Sequence, residues 1–433
     1  MQHISQEKPK QLLFSTIDSL FERKDEFLTN PQSDFTRTKK ISFHQTILFP
    51  MLAGSDNTAT ELVNFFEEEK LPMPSAMVQR RSQVRSEAFK ELFYSFSNAI
   101  PAPKKFQGYQ IVACDGSRIN LPYNPSDKDS FIKCIKGRKG INQVHLNALY
   151  DPLNDIFLDA ELQSINQMNE KAAFTGFLDK YANDTAKRIF LADRGYVSYN
   201  IFAHAIHNKQ MFLIRVPASF AEKICTDHKP WLADPFADET VTVHIGCSQK
   251  KEFSRLENYH PIHKSGRYDY CVSGKNDVDV LKFRVLKFPI SDNSYEYIVT
   301  NLPLCSFKSE DIKSLYALRW GEETAFRHLK YAGNMVYIHS LKKDFLIQEI
   351  YGKLTLYNFS SYIAQAAIKP ENKKNKHKYN LNHTQAQKCC ALFLLGKIKD
   401  VIKLISKYLV PIRPGRKFER ILRRQSAHTL SYR

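Results

Sequence analysis

The chain has 433 residues, 43% of them apolar and 25% charged, so it has ample material for a core; disordered and collagen-like classes are excluded, and two to four structural units are expected. Lys and Arg number 63 against 45 Asp and Glu, and the resulting net charge of +18, carried by a chain with 12% aromatic residues, points to a polyanionic partner. No run approaches the roughly 18 apolar residues of a membrane span, the opening MQHISQEKPK lacks a signal-peptide core, and eight scattered cysteines without a CxxC spacing indicate neither zinc module nor disulfide framework, so a cytoplasmic protein with reduced thiols is expected.

Residues 1–100 read as helices joined by polar turns. Leu62, Val63, Phe65 and Phe66 recur at helical spacing within Thr58–Glu69, and Ala76–Phe96 behaves likewise. Pro72 and Pro74 separate the two, with Ser75 placed as an N-cap. Arg80, Arg81 and Arg85 then fall on or near an exposed side, a pattern compatible with a DNA-docking unit and with a plain helical scaffold.

After Pro101 and Pro103 the texture changes. Tyr109–Asp115, Asn142–Tyr150 and Asp155–Leu162 read as strands, the last two joined by a hairpin turn over Asp151–Asn154. A helix over Glu170–Tyr181, a strand over Arg188–Asp193, a helix over Ser198–Asn208 and a strand over Gln210–Val216 complete an α/β order with an antiparallel start. From Pro217 the helices are expected to give way to a β-rich insertion, with strands over Val241–Ile245, Tyr268–Val272 and Val280–Leu286. Ser294–Leu302 is its last strand or the return to the main sheet. Helices resume over Ser309–Tyr331 and Phe345–Ile368. A basic linker follows over Lys369–Asn380, then a helical stretch over Gln385–Leu409 and a tail carrying Arg413, Arg416, Lys417, Arg420, Arg423 and Arg424.

Three places carry chemistry. Asp115, in IVACDGSRINLP, closes an apolar strand at the edge where open α/β sheets bind ligands, although Asp-Gly alone reads more simply as a strand-terminating turn. Asp193, in IFLADRGYVS, repeats the arrangement. If the two strands are neighbours their carboxylates converge, which is costly unless a cation stands between them. Oxygen ligands of this kind suit Mg²⁺, with Arg118 and Arg194 as metal-free counter-ions in the competing reading. In DIKSLYALRWGEETAFRHLKYAGN, Tyr316, Arg319, Glu323 and Lys330 fall within an arc of about 60° along about 21 Å of one helix, and Glu322 lies well off that face.

ACDGSRINLP, LADRGY and the Tyr-x2-Arg-x3-Glu-x6-Lys signature together resemble the bacterial DDE transposases of insertion-sequence family four. The resemblance covers about half of the chain, from Gln110 to Lys353. It implies a ribonuclease-H-like α/β core in two parts, 101–216 and 301–368, interrupted by a β-rich insertion over 217–300. Flanking these would be a helical, DNA-binding 1–100 and a basic helical 369–433 that contacts DNA or a second subunit.

It further implies that Asp115, Asp193 and Glu323 are the catalytic, metal-binding triad for Mg²⁺ or Mn²⁺. Two ions about 3.5 to 4 Å apart would serve the attacking and leaving oxygens, Asp115 bridging both while Asp193 and Glu323 each complete one. Tyr316, Arg319 and Lys330 would hold DNA phosphates. The implied partner is double-stranded DNA, transposon ends and target, bound by a homodimer in the nucleoid of a bacterial cytoplasm. Competing readings are a stand-alone metal-dependent nuclease and a non-catalytic DNA-binding protein derived from a transposase. Tyr316 as a recombinase nucleophile fits poorly with a carboxylate triad, and the chain holds no GxxxxGK[ST] phosphate loop.

Overall fold

A computed structural model of the chain describes residues 5–37, 40–133, 139–225, 234–246, 253–262, 267–271, 277–291, 294–367 and 378–412. It opens with helices α1 (Glu7–Glu22), α2 (Phe43–Leu52), α3 (Thr58–Phe65), α4 (Pro74–Ser82) and α5 (Glu87–Ala99). A capping box of Ser42 and Gln45 starts α2. The single helix expected over Ala76–Phe96 is two, α4 and α5, parted where Val84 bridges to Leu28. Ser75 is not the N-cap: Pro74 takes the first helical position, where its missing N–H costs nothing.

Arg80 and Arg81 do not lie on an exposed face. Arg81 donates to Gln348, Glu349 and the Phe345 carbonyl, and Arg80 lies 4.4 Å over the Phe35 ring; of the three arginines only Arg85 is exposed.

The sheet begins with β1 (Gln110–Leu121), β2 (Phe131–Ile132), β3 (Ile141–Asp151) and β4 (Ile156–Ser164). The β3–β4 turn is set by Asp151, whose Oδ1 accepts the Leu153 and Asn154 N–H groups. Next come α6 (Glu170–Lys180), β5 (Arg188–Ala192), α7 (Tyr199–His207), β6 (Met211–Val216) and α8 (Ala218–Ile224), then β7 (Ala237–Gly246), β8 (Tyr259–Pro261), β9 (Val278–Ser291) and β10 (Ser294–Thr300). The last part holds α9 (Ser309–Leu318), α10 (Trp320–Tyr331), α11 (Lys343–Ala367), β11 (Lys378–Asn380), α12 (His383–Leu394), α13 (Val401–Lys407) and β12 (Val410–Ile412).

Among the described residues β1 to β10 form one mixed sheet in the order β2-β3-β1-β5-β6-β10-β9-β7-β8, with β4 on β3. Central β1, β5 and β6 run parallel and are apolar on both sides, as helix-covered strands must be. One side packs Val112, Cys114, Phe190 and Ala192 against α6 and α7. The other packs Ile111, Ala113, Ile189 and Leu191 against α9. The N-terminal helices share a core with β3, β4, α10, α11, α12 and α13, tied down by the buried Arg81–Glu349 pair.

Several expectations change in the second half. Strands β7 and β9 add to the main sheet through β10, which pairs with β6. Tyr268–Cys271 is turn rather than strand: Tyr268 donates to Asp279, the Asp269 N–H donates to Asn200, and the Tyr270 ring stacks on His207. Val272 lies outside the described residues. Helix α8 follows Pro217 directly, within the segment expected to lack helices. Gln385–Leu409 holds two helices, and Lys378–Asn380 pairs with β12. Most of the basic linker and the arginine-rich tail from Arg413 lie outside the described residues. Among those described, no helix is long and apolar enough to cross a membrane.

Candidate active site

Strands β1 and β5 pair in parallel up to Cys114 and Ala192, and the next residue on each is an aspartate. Asp115 and Asp193 therefore stand at the point where the two strands part, at the same level of the sheet. They differ in how the backbone leaves. Asp193 ends its strand, and its Oδ1 accepts the Gly195 N–H at 2.7 Å, capping a short turn. Asp115 does not end its strand, so Asp-Gly is no turn here: β1 continues to Leu121 paired with β3. Its Oδ1 accepts the Gly116 N–H at 2.8 Å. Burial, with the charge of Asp193 added, pushes the Asp115 carboxyl up to about 6, against the pull of that N–H and of Arg319. Among the described residues neither aspartate makes an ion pair, so Arg118 and Arg194 are not their permanent counter-ions. Arg215, on β6, pairs with Glu296.

The signature segment is two helices rather than one. At the join Arg319 N–H donates to Tyr316 O and Glu322 N–H to Arg319 O, both three residues back, and a turn tightened this way advances the helical face by about 20° per residue. Tyr316 is buried beside Arg319. Arg319 is buried beneath the exposed Trp320 ring, 4.6 Å from its centroid, and donates to Glu323 at 2.9 Å. The Glu323 carboxylate is half-exposed and held by that arginine. Lys330 is partly buried, with burial lowering its pKa while the charge of Asp115 raises it.

Glu322, well off the signature face by helical spacing, lies within electrostatic reach of the aspartates. It is fully buried, and Asp115 and Asp193 both act on it electrostatically. A signal was available: Glu322 heads the row Ala325, Phe326 and Leu329 at helical spacing, so an acid occupies the end of an apolar stripe. His145 and Glu170 were missed as well. Nε2 of the buried His145 stands 3.1 Å from Glu170 Oε1 beside Gly116, where a Cβ would lie 2.5 Å from that nitrogen.

Among the described residues no three His, Cys, Asp or Glu side chains form a ready-made metal cage. The chemistry of the set nevertheless fits a hard divalent cation. It has two carboxylates just beyond the last parallel register pair and, among the described residues, outside any ion pair, with both Glu322 oxygens buried beside them.

Residues 106–359, more than half of the chain, match the family described as the transposase DDE domain, and the chain belongs to that family. It is a DDE transposase. Among solved structures it is similar to the piggyBac transposase in a synaptic complex with hairpin DNA. The identity is 10%, the TM-score 0.44, and the likeness spans 94% of this chain and 87% of that one. No curated protein matches the chain.

Proposed function

We propose that this transposase cuts DNA at the ends of an insertion sequence of family four and joins the freed 3′ hydroxyls to target DNA, on a ribonuclease-H-like core. The observation that carries the reading is the pair of aspartates one residue beyond the last parallel register pair, outside the ion pairs made by the described residues. The antiparallel start of the sheet followed by parallel β1, β5 and β6 supports the assignment of the core.

Asp115, Asp193 and Glu323 would hold Mg²⁺ or Mn²⁺, two ions in this reading, and a bound ion supplies an activated water and charge neutralisation at the phosphate. The chain's own part is to place the strand. Arg319 and Lys330 offer a guanidinium fork and a point charge to backbone phosphates, and the buried Tyr316 packs against Arg319, 5.7 Å from its ring. Water attacks one phosphorus and releases a 3′ oxygen; that hydroxyl then attacks a target phosphorus and displaces another 3′ oxygen. One phosphodiester replaces another, so no nucleotide cofactor is consumed. Double-stranded DNA, end and target, is the partner, held by a homodimer that pairs two ends, in a bacterial cytoplasm with the nucleoid.

The test uses duplexes carrying the short inverted repeats that bracket the coding sequence, with Mg²⁺, the intact chain and Asp193→Asn. The reading expects cleavage and joining by the intact chain and neither by the variant. Cleavage without joining of pre-cut ends would favour a plain nuclease, and equal residual activity in both proteins would favour a non-catalytic DNA-binding protein.

A further inference from the structure

We infer that Glu322 is itself a carboxylate of the cation site that Asp115 and Asp193 begin. The inference rests on the divalent-cation reading above and adds a residue to it.

The other buried acids among the described residues all have donors. Asp34 and Glu61 accept backbone N–H groups, Asp151 accepts from Gln110 and Asn154, and Asp159 from Tyr94, Lys180 and Tyr181. Asp279 accepts from Tyr268, and Glu349 from Arg81 and Ser340. In each case the fold supplies a donor, because a desolvated carboxylate without one is costly. Glu322 is as buried as any of them, at 0% exposure, and neither oxygen has a hydrogen bond. The Asp115 backbone N–H approaches it and the Arg319 guanidinium draws on it, yet burial and the charges of Asp115 and Asp193 still push its carboxyl well above the ordinary range.

A merely structural acid on the stripe of Ala325, Phe326 and Leu329 would be better replaced by an apolar side chain. What satisfies two bare oxygens next to two aspartates is a cation. Glu323, about 100° further round the helix, accepts from Arg319 and so already has a donor.

The experiment titrates Mn²⁺ alone into the full chain without DNA and follows free Mn²⁺ by electron paramagnetic resonance, for wild type, Glu322→Gln, Glu322→Met and Asp193→Asn. Thermal unfolding of each chain in chelator runs alongside. Glu322→Met removes the uncompensated carboxyl while filling its space, so it is expected to unfold at the same or a higher temperature and to bind Mn²⁺ at least tenfold more weakly. Glu322→Gln is expected to lose binding to the same degree. Wild-type Mn²⁺ affinity in both Glu322 variants, with binding lost in Asp193→Asn, overturns the inference and leaves the cation reading standing. Unchanged affinity in all three variants overturns both.

Discussion

Arg319 donates to Glu323 at 2.9 Å from a side chain that is 5% exposed, while the carboxylate it holds is 45% exposed. The cation is thus fixed by the fold and its anion is replaceable. A DNA phosphate approaching α10 competes with Glu323 for the same guanidinium. Pairs with one exposed member contribute about 0.2–1 kcal/mol, so Glu323→Gln, assayed in chelator, is expected to bind end DNA about two- to fivefold more tightly than wild type. Weaker binding by this variant would show that Arg319 and Glu323 grip the strand as a unit.

The raised Asp115 carboxyl makes the metal-free chain sensitive to pH in a stated direction. Its ordinary value is 3.8 and its folded value about 6, because of burial and then Asp193. The folded chain holds the proton more tightly than the unfolded one, so stability is lost as pH rises from about 4 to about 6 and stays lost above that. The full shift is worth about 3 kcal/mol, reduced by the partial exposure of the group. In chelator, Asp115→Asn is expected to unfold at a higher temperature than wild type at neutral pH, with the gap closing by pH 4. A gap that persists at pH 4 would mean that the charge of Asp115 is not its source.

Much of the core was legible because its signals are local. Ile111–Cys114 and Ile189–Ala192 are unbroken apolar runs, and each precedes an aspartate, so both strands are legible, while their pairing is set by the sheet. What escaped depends on partners far away in the chain. Arg81 looks exposed until Glu349, 268 residues later, is brought beside it. Tyr268–Cys271 has strand composition, yet Asn200, His207 and Asp279 hold it as a turn. A uniform 100° per residue holds only along an uninterrupted helix, and the tightened turn at Arg319 carries Glu322 round from the place that spacing gives it.

The Arg81–Glu349 pair predicts a stability effect separable from DNA binding. Both side chains are nearly dry, and Glu349 also accepts from Ser340 and from the His339 N–H. Arg81→Met strands that carboxylate and is expected to destabilise the chain by about 3–5 kcal/mol, with Arg81→Met/Glu349→Leu recovering most of it. Denaturant unfolding measures both. Well below the unfolding midpoint, end-DNA affinity should match wild type, since Arg81 faces α11 and not solvent.

Lys330 predicts the opposite combination. It is partly buried and its pKa responds to Asp115, but no carboxylate among the described residues pairs with it, so its charge is available to a phosphate. Lys330→Ala is expected to weaken end binding and to lower the slope of log K against log salt by about 0.9, one phosphate's share. An unchanged slope would place the ammonium elsewhere than on the backbone.

Gly116 makes the sharpest case for how closely the site is packed. It sits in the middle of β1, where no turn requires glycine, and space is what requires it: a Cβ would lie 2.5 Å from His145 Nε2 and 2.6 Å from Glu170 Oε1. Glu170 is half-exposed and can swing aside, but His145 is buried on β3, opposite Arg118, and cannot. Gly116→Ala therefore has to displace either His145 or β1 itself, and Asp115 is the adjacent residue. Overpacking of this kind costs about 1–3 kcal/mol, which a domain of this size tolerates, whereas a shift of about 1 Å at a catalytic group lowers the rate about a hundredfold. The expected result is a soluble chain that binds end DNA but has lost most of its cleavage. His145→Ala in the same chain should restore stability by opening the space, as read by thermal unfolding. If Gly116→Ala cleaves at the wild-type rate, β1 has more room beside Asp115 than these contacts allow.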